Sequence, residues 1–543
     1  MLNRDQNLST LRTEAFDLLI IGGGATGAGI ALDAASRGIK TALVEKGDFA
    51  SGTSSKSTKL IHGGLRYLKQ FAIDLVRESG TERAVVNKVA PHLCLPEKML
   101  LPLVKGGTFG KWSSSVGLFV YDFLAGVDAD DKRKMLNKKQ TLKKEPLLDA
   151  NKVVGGGYYA EYRTDDARLT IELIKKAGSY GAVAVNYSKM TDFIHSDGII
   201  TGVIIEDMIT GEQIQVDTRR VVSAAGPWVD HIRAKNQSLN HKKLHLTKGV
   251  HLVFPRAKFP IKQSIYFDEP GGRMLFAIPR GRVTYLGTTD TTYTGDKDRI
   301  VATTADRDYL LAGANGAFPD IKLTADDVIS NWMGLRPLIH EDGKSTSEIS
   351  RKDEIFTSDD GLISIAGGKL TGYRKMAERI VDLVIDKDEL NVTHKDAITD
   401  EIPLGADTAM TNKEVKKYIQ ELRDRISAKG LDPYYGWYLV TNYGRQAERI
   451  LSVLSESATE VELAESEIRY NIAYEMVTRA ADYFVRRTGR LYFDIESIAH
   501  IRQPVMDIMS QELNWDDHRL QQENAILDSL ITDATSYYDQ EIK

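Results

Sequence analysis

Three glycines and a glutamate near the start of the sequence have the spacing of a dinucleotide-binding site. Gly22, Gly24 and Gly27 form a Gly-x-Gly-x-x-Gly motif, and Glu45 follows 18 positions after Gly27. The first glycine of such a motif allows a tight turn, the second lets a pyrophosphate approach the backbone, and the third lets a helix pack closely. The following helix N-terminus favours negative charge, and Glu45 can accept hydrogen bonds from ribose hydroxyls. The motif indicates bound NAD or FAD and does not choose between them.

The elements that must position this motif follow from the apolar patterning. Residues 16–21 are an apolar run, residues 25–37 are rich in alanine, and residues 41–44 are a second apolar run. This alternation predicts a β-α-β unit with a parallel sheet. A second alternation of helical and strand patterns lies between residues 155 and 230. We therefore expect an α/β fold through both regions.

Two later regions have a different character. Residues 251–292 contain short β-branched runs with period two, such as 283–286, which predict an antiparallel sheet that covers the substrate. From about residue 401, residues 413–426, 437–454 and 468–487 have helical apolar spacing with abundant charge. The sequence thus predicts a separate helical region at this end of the chain.

Two polar segments favour FAD as the nucleotide. Residues 51–59 follow the second strand with many hydroxyls and two lysines, which suit phosphates or flavin edges. Residues 363–374 run from a strand through two glycines into a helix whose N-terminus can stabilise negative charge on a flavin. The predicted cofactor-binding residues are Gly22, Gly24, Gly27, Glu45, Thr53, Ser54, Ser55, Ser57, Lys59, Leu60, Gly226, Gly368, Lys369, Leu370 and Thr371.

Composition excludes several other classes of protein. The 71 Lys and Arg against 76 Asp and Glu give a net charge of −5, which argues against a uniformly basic nucleic-acid-binding surface. The 11 His and the single Cys94 show no metal-ligand spacing, so we expect no metal, disulfide or iron–sulfur site. The lone cysteine and a polar stretch at residues 1–14 predict a cytoplasmic location.

Further motifs occur in a fixed order along the chain, in addition to the glycine motif. They are SSKSTKLIHGGLRY at 54–67, DDARL at 165–169, AGPW at 225–228, KGVH at 248–251, LGTTD at 286–290, GLRP at 334–337 and GGKLT at 367–371. Together they resemble the FAD-dependent glycerol-3-phosphate dehydrogenases. The resemblance extends from about residue 14 to 385, and EMVTRAA at 475–481 is similar to the family's C-terminal helical cap.

The resemblance implies a Rossmann-like FAD-binding domain, an antiparallel β-sheet substrate domain and a C-terminal α-helical cap domain. We expect the FAD-binding domain at 14–95, 155–245 and 330–390, the substrate-binding domain at 96–154 and 246–329, and the helical domain at 400–543. The implied reaction is oxidation of sn-glycerol 3-phosphate to dihydroxyacetone phosphate, with electrons passing from FAD to a quinone or to oxygen.

A phosphorylated polyol carries close to two negative charges, so its pocket needs several cationic groups. Arg66, Arg336, Arg351 and Lys369 are the predicted anion-binding residues, and in the resembled family matching positions contact the substrate or its analogues. Tyr67 can donate its hydroxyl to a substrate oxygen.

Oxidation of the C2 alcohol also requires a proton acceptor. His251 is the first candidate, because it lies on the predicted substrate-facing sheet and histidine titrates near neutral pH. His62, beside Gly63 and Gly64, is the second. Arg336 polarising the C2 oxygen, with water as the proton acceptor, is a third route that the sequence leaves open.

Several alternatives remain at this stage. Quinone is favoured over oxygen as the acceptor, because the oxidases of the resembled family tend to be longer. An amino-acid or hydroxy-acid oxidase needs one carboxylate clamp rather than several cations, and a catalytically silent flavin sensor needs none of them. Reaching a lipid-soluble quinone suggests peripheral membrane contact, for which residues 109–112 and 483–487 are candidates. The helical domain offers a surface for a homodimer.

Overall fold

The structure is a computed structural model that describes residues 2–61, 73–107, 133–269, 271–341 and 352–542. Its strands are β1 (Phe16–Ile21), β2 (Thr41–Val44), β3 (Leu60–Ile61), β4 (Leu95–Val104), β5 (Lys134–Asn137), β6 (Val153–Arg163), β7 (Val183–Val185), β8 (Ser188–Ser196), β9 (Ile199–Asp207), β10 (Gln213–Ser223), β11 (Lys242–Pro255), β12 (Ser264–Asp268), β13 (Met274–Arg280), β14 (Val283–Gly287), β15 (Thr291–Thr292), β16 (Ser330–Glu341), β17 (Glu354–Thr357) and β18 (Ile363–Ala366).

The α-helices surround two sheets and form a third region at high residue numbers. They are α1 (Arg4–Thr13), α2 (Ala25–Ser36), α3 (Ile73–Val89), α4 (Lys138–Lys144), α5 (Asp166–Ser179), α6 (Val229–Lys235), α7 (Thr304–Ala317), α8 (Tyr373–Asp388), α9 (Asn412–Ala428), α10 (Tyr434–Tyr443), α11 (Ala447–Leu451), α12 (Glu460–Glu475), α13 (Arg490–Phe493), α14 (Ile495–Glu512) and α15 (Asp517–Thr535).

The first sheet carries the glycine motif. Its strand order is β17-β18-β10-β1-β2-β7, and β1 pairs in parallel with both β2 and β10. The glycine motif follows β1 and leads into α2, whose N-cap is Gly24. α2 and α8 pack against this sheet in one apolar core with β1, β2 and β18. The predicted Rossmann-like unit is confirmed, because buried apolar strands alternate with a helix that covers one face.

The second sheet is mostly antiparallel and provides the wall opposite the glycine motif. Ten strands order as β15-β11-β14-β13-β12-β4-β6-β3, with β16 and β5 paired at its sides. β16 pairs with β11 along its whole length, from Ser330 to Glu341. The prediction placed residues 330–341 in the FAD-binding part. Strand pairing instead places them in the second sheet, because β16 pairs with β11 from Ser330↔Val253 to Glu341↔Lys242.

The helical region packs mainly on itself and on the second sheet. α9, α10, α11 and α12 share one apolar core, and α12 to α15 share another with strands of the second sheet. The helices predicted at 437–454 and 468–487 are interrupted. α12 ends at Glu475 because Met476 has a left-handed backbone (φ 53°), and residues 482–487 form a short π-helical turn. No described helix is both long enough and apolar enough to cross a membrane.

Buried ion pairs attach the helical region to the first sheet. Arg168 on α5 donates to both carboxylate oxygens of Glu475 (2.5 and 2.8 Å), and Lys175 donates to Glu475 at 3.0 Å. In the loop after β2, Asp48 accepts two bonds from Arg487, at 2.7 and 2.9 Å. Burial raises the pKa of Glu475, but the neighbouring Arg168 and Lys175 outweigh burial and hold that pKa below its usual range. We define these side chains, together with Glu172 beside Arg168, as the domain-interface network.

Candidate active site

A large cavity lies between the two sheets. Its volume is about 1130 Å³, and its lining runs from Gly22 and Glu45 at one end to His251 and Arg336 at the other. Pockets for one small ligand commonly measure about 300–1,000 Å³. The cavity is therefore large enough for a dinucleotide together with a small substrate.

The glycine motif forms a backbone cradle at the first end of the cavity. Gly22 has a φ of +114°, and a Cβ on it would lie 2.6 Å from the Ala224 carbonyl oxygen. A Cβ on Gly27 would lie 1.9 Å from the Gly22 carbonyl oxygen, so Gly27 permits the close approach of α2 to β1. Gly27 itself does not line the cavity, whereas Gly22 and Gly24 do. The donor groups at the N-terminus of α2 fit a pyrophosphate, as FAD requires.

Glu45 lies at the end of β2, facing the same end of the cavity. Its carboxylate accepts hydrogen bonds from the backbone N–H groups of Gly23 (2.7 Å) and Gly47 (2.9 Å). Burial raises the pKa of Glu45, although these two N–H groups act in the opposite direction. The side chain is held in place, and its remaining acceptor capacity suits ribose hydroxyls.

The loop at residues 51–59 divides its side chains between the cavity and the protein interior. Thr53, Ser54, Ser57 and Leu60 line the cavity, and Ser54 Oγ accepts a bond from the Ala25 N–H at 2.9 Å. Lys59 does not reach the cavity. Its ammonium is buried and donates to Asp166 Oδ1 (2.5 Å) and to the Ser55 carbonyl oxygen (3.1 Å).

The placement of Lys59 and Ser55 corrects the prediction that both bind the cofactor. The charge of Lys59 is neutralised by the carboxylate at the start of α5, so it is not directed at a ligand. Ser55 is buried behind the loop and lies outside the cavity lining. The two residues contact each other on the side of the loop that faces away from the cavity.

Lys56 is a cavity cation that the sequence analysis counted among the two lysines of residues 51–59 but not among the predicted cofactor-binding residues. It lines the cavity, and no carboxylate of the described residues lies within ion-pair distance of its ammonium. The pKa of Lys56 is lowered to about 8, mainly by burial and also by the nearby Arg486 and Lys46, while Asp298 acts in the opposite direction. A sequence with lysines at both 56 and 59 could not show which one faces the ligand, because the carboxylate partner of Lys59 lies more than 100 residues away.

The predicted segment at 363–374 does reach the cavity. Gly367 and Gly368 both have positive φ, 77° and 78°, and carry the chain from β18 into a 3₁₀ turn at Leu370–Gly372 and then α8. Gly368, Lys369, Leu370 and Thr371 line the cavity, as does Gly226. The Lys369 ammonium lies 3.4 Å from Ser79 Oγ.

Arg336 lies on β16 with its guanidinium directed into the cavity. It donates to Thr288 Oγ1 (2.9 Å), to the Thr289 carbonyl oxygen (3.1 Å) and to Asp290 Oδ1 (3.3 Å). Its side chain is 30% exposed. The neighbouring loop thus orients a guanidinium that lines the cavity, where it can contact an anion.

His251 lies on β11 between β14 and β16, fully enclosed by the sheet and aromatic rings. Its ring stacks on Trp332, with centroids 4.5 Å apart and planes 7° apart, and Nε2 lies 3.0 Å from Thr58 Oγ1. Nδ1 is buried and has no hydrogen-bond partner among the described atoms. Burial holds the pKa of His251 well below its ordinary value, and Arg336 and Lys59 lower it further. Its surroundings therefore favour the neutral imidazole.

Three glycines in the second sheet make room for these side chains, and the sequence analysis missed them. A Cβ on Gly249 would lie 2.3 Å from an Arg336 nitrogen, and one on Gly287 would lie 2.2 Å from His251 Cδ2. A Cβ on Gly334 would lie 2.6 Å from the Lys56 carbonyl oxygen. Each glycine appears in a motif quoted above, but the group it accommodates comes from a distant part of the chain, which is a paired strand for Gly249 and Gly287 and the loop at Lys56 for Gly334. His62, Arg66, Tyr67 and Arg351 lie outside the described residues, and their roles stay predictions.

Two family models match consecutive parts of the chain. The model described as FAD dependent oxidoreductase matches residues 17–374. The model described as C-terminal domain of alpha-glycerophosphate oxidase matches residues 397–520. Together they cover the two sheets and most of the helical region.

Individual relatives match over nearly the whole length. The aerobic glycerol-3-phosphate dehydrogenase of Bacillus subtilis (strain 168) is 50% identical, covering 99% of both chains. The crystal structure of the glycerol-3-phosphate dehydrogenase from Bacillus halodurans complexed with FAD is 42% identical, with a TM-score of 0.84, covering 99% of this chain and 98% of that one. L-alpha-glycerophosphate oxidase from Mycoplasma pneumoniae, at 17% identity and a TM-score of 0.57, covers 72% of this chain and 98% of its own and shows the fold alone.

Proposed function

The chain belongs to the FAD-dependent glycerol-3-phosphate dehydrogenases. From this premise we infer which end of its cavity binds FAD and which end binds the substrate. FAD lies with its pyrophosphate at the Gly22–Gly24 cradle, and sn-glycerol 3-phosphate is oxidised to dihydroxyacetone phosphate beside Arg336 and His251. The observation that supports this division is the continuity of one cavity from the cradle to both of these side chains. When bound, FAD supplies the hydride acceptor.

The substrate phosphate is assigned to the cations at the second end of the cavity. Arg336 is oriented by Thr288 and Thr289, and both Arg336 and Lys369 line the cavity. A planar guanidinium and an ammonium suit a dianion, because charge-assisted hydrogen bonds are roughly twice as strong as neutral ones. Arg66, Arg351 and Tyr67 are proposed to complete this site.

His251 is proposed as the proton acceptor for the C2 hydroxyl. Its neutral ring is fixed by the stack on Trp332 and by Thr58, so the imidazole is held in one orientation. Arg336 nearby stabilises negative charge that develops on the C2 oxygen as its proton leaves. His62 and a water molecule polarised through Arg336 remain the alternative acceptors.

Lys56 is proposed to bind a phosphate of the cofactor. It follows Thr53 and Ser54 of the loop that borders the cradle, and its ammonium has no carboxylate at ion-pair distance among the described residues. The nearby cations Arg486 and Lys46 make an anionic ligand favourable at this position.

The function is tested with an anaerobic absorbance spectrum of the purified protein. Addition of sn-glycerol 3-phosphate is expected to bleach the visible absorbance of oxidised flavin. A flavin spectrum that this substrate leaves unchanged, but that an amino or hydroxy acid bleaches, would replace the proposed substrate. A flavin that no substrate bleaches would indicate the sensor alternative.

A quinone is proposed as the final electron acceptor, with contact at the cytoplasmic side of a membrane. Of the two candidate contact segments, residues 109–112 lie outside the described residues. Tyr483, Phe484, Val485 and Arg487 are buried, and Arg487 pairs with Asp48, so residues 483–487 are not a membrane surface. Recovery of the bleached absorbance with a soluble quinone but not with air would support quinone as the acceptor. Co-sedimentation with anionic vesicles at low salt tests the membrane contact.

A homodimer through the helical region is a further proposal, tested by sedimentation velocity.

A further inference from the structure

A short loop crosses the cavity near the end assigned to the cofactor. We define residues 293–298 as the clasp loop, and Gly295, Asp296, Lys297 and Asp298 of this loop line the cavity. Asp298 pairs with Lys46, the residue after Glu45, at 2.5 Å. Lys297 donates to the carbonyl oxygen of Pro227, the residue after Gly226, at 3.2 Å. The clasp loop therefore bridges from the second sheet to both cofactor-side loops.

A second segment holds the clasp loop from outside. We define residues 536–542, which follow α15, as the strap. The Asp296 N–H donates to the carbonyl oxygen of Ile542 at 3.0 Å, and a Cβ on Gly295 would lie 2.5 Å from that oxygen. Tyr538 is bonded in both directions, because its N–H donates to the Ala302 carbonyl oxygen (3.0 Å) and its carbonyl accepts from the Thr304 N–H (2.9 Å). The strap thus lies along the outer side of residues 295–304.

Charged side chains anchor the strap in the second sheet. Glu541 pairs with the ammonium of Lys248, which is buried and also pairs with Asp306 at 2.5 Å. Arg299, just after the clasp loop, pairs with Asp533 on α15 at 2.9 Å. The clasp loop is therefore fixed on its outer side by several contacts, and on its inner side by the Lys46 pair and the single Lys297 bond.

This difference in attachment suggests what the two segments do. The Lys46–Asp298 pair is largely exposed, and exposed ion pairs contribute about 0–1 kcal/mol. The inner contacts can therefore break while the strap keeps the loop near its closed position. Local opening of such a loop is governed by the contacts that remain. Without the strap, both sides of the loop would be released together.

We propose that the strap is a positioning element that keeps the clasp loop closed over the cofactor end of the cavity and thereby slows the release of FAD. In this proposal FAD leaves past the clasp loop, because the loop lines the cavity and contacts Lys46 and Pro227 at the cofactor end. The proposal concerns retention of FAD and requires no turnover. Its test therefore stands apart from the assignment of substrate, acceptor and proton acceptor.

The test measures FAD release from the loaded protein after dilution, followed by the fluorescence of free FAD in the absence of substrate. A chain ending after Ser536 is expected to release FAD about 10-fold faster. In this chain the strap is missing, so the loop can open whenever its inner contacts to Lys46 and Pro227 break. Asp298→Asn is expected to accelerate release by about 2- to 5-fold, the range of an exposed ion pair. Glu541→Gln keeps every backbone bond of the strap and is expected to accelerate release by a similar factor, which guards against misfolding of the shortened chain.

A matched control is Asp528→Asn. Asp528 pairs with Arg502 at 2.5 Å and is as exposed as Asp298, but both partners lie on α14 and α15 away from the cavity lining. This variant is expected to release FAD at the unaltered rate. The shortened chain combined with Asp298→Asn is expected to release FAD no faster than the shortened chain alone, because both changes act on one loop. Unchanged release from the Glu541 and Asp298 variants, or effects that multiply in the combined variant, would overturn the proposal.

Discussion

The domain-interface network and the active-site cavity use charge in opposite ways. In the network, Arg168 meets Glu475 at 2.5 and 2.8 Å and Arg487 meets Asp48 at 2.7 and 2.9 Å, and all of these side chains are buried. In the cavity, the carboxylate of Asp290 lies 3.3 Å from Arg336, and Lys56 has no carboxylate at ion-pair distance among the described residues. Matched buried charges attach one region to another, whereas the cavity is lined by cations that an anionic ligand can contact.

Lys56 and Lys59 show the same contrast within four residues of one loop. Lys59 is buried against Asp166, while Lys56 lines the cavity with a lowered pKa. Residue type is therefore a poor guide to ligand binding here, and the position of the nearest carboxylate is a better one.

The largest expected effect is a loss of stability when one carboxylate of the domain-interface network is neutralised. Glu475→Gln removes one of the two carboxylates that pair with Arg168 and Lys175 and leaves Glu172 as their shared partner. Removal of one partner of a buried pair costs about 3–5 kcal/mol. We expect denaturant unfolding to show a loss of that size in the free energy of unfolding. A loss below about 1 kcal/mol, the range of an exposed ion pair, would mean that the network does not hold the helical region to the first sheet. Since the pKa of Glu475 is lowered in the folded protein, its stabilisation should be present near neutral pH and be lost as acid protonates it.

Arg336→Ala should affect chemistry instead of stability. A charge-assisted contact in a closed site contributes on the order of 2–4 kcal/mol, so substrate-driven bleaching should slow by about 10²-fold or more while FAD remains bound. Rapid-mixing absorbance measurements give the rate, and thermal unfolding of the same variant gives the stability. Near-normal bleaching rates would remove Arg336 from the substrate site, and Arg502→Ala, which alters an exposed pair on α14, is the matched control.

Lys56→Gln should lower the affinity for FAD without lowering the stability of the FAD-free protein. Removal of a half-buried cation that has no carboxylate at ion-pair distance among the described residues is expected to leave the FAD-free protein equally or more stable. The affinity for FAD should fall by about 10-fold, since a hydrogen bond to a charged group contributes about 1.5–3 kcal/mol. Calorimetry and thermal unfolding of the FAD-free protein measure the two quantities. Unchanged affinity with lowered stability would place Lys56 with Lys59 as a structural residue.

The smallest effect concerns the pH dependence at His251. Its pKa lies well below the ordinary value, so the imidazole stays neutral as pH falls through about 6.5. The bleaching rate should show no half-point near that pH arising from His251. Stability should fall slightly below it, because the unfolded chain then binds a proton that the folded protein does not. A rate profile with a half-point near pH 6.5 that is lost in His251→Gln would show that His251 titrates normally.

The sequence predicted the parts of the fold that are local. Phe16–Ile21, Ala25–Ser36 and Thr41–Val44 were recognisable because their apolar patterns and glycines lie within one β-α-β unit. The sheet to which Ser330–Glu341 belongs could not be recognised from local patterns, because it depends on pairing with β11. The break after Glu475 was also hidden, since the carboxylate that ends α12 is held by partners on α5.

The candidate site was predictable to a similar extent. Arg336, Lys369 and His251 were identified within motifs and line one cavity in the structure, although their roles stay predictions. The roles of Gly249 and Gly287 escaped the analysis, because the side chains they accommodate come from neighbouring strands. Spacing along the chain reveals a backbone cradle but cannot reveal a clash across a sheet.

The stack of His251 on Trp332 also has an optical consequence. Two rings 4.5 Å apart and nearly parallel are close enough for the imidazole to influence the excited state of the indole. A protonated imidazole quenches indole emission more strongly than a neutral one. Trp332 therefore provides a built-in fluorescent reporter of whether its neighbour carries a proton, and Trp332→Phe supplies the blank that isolates its signal from the other tryptophans.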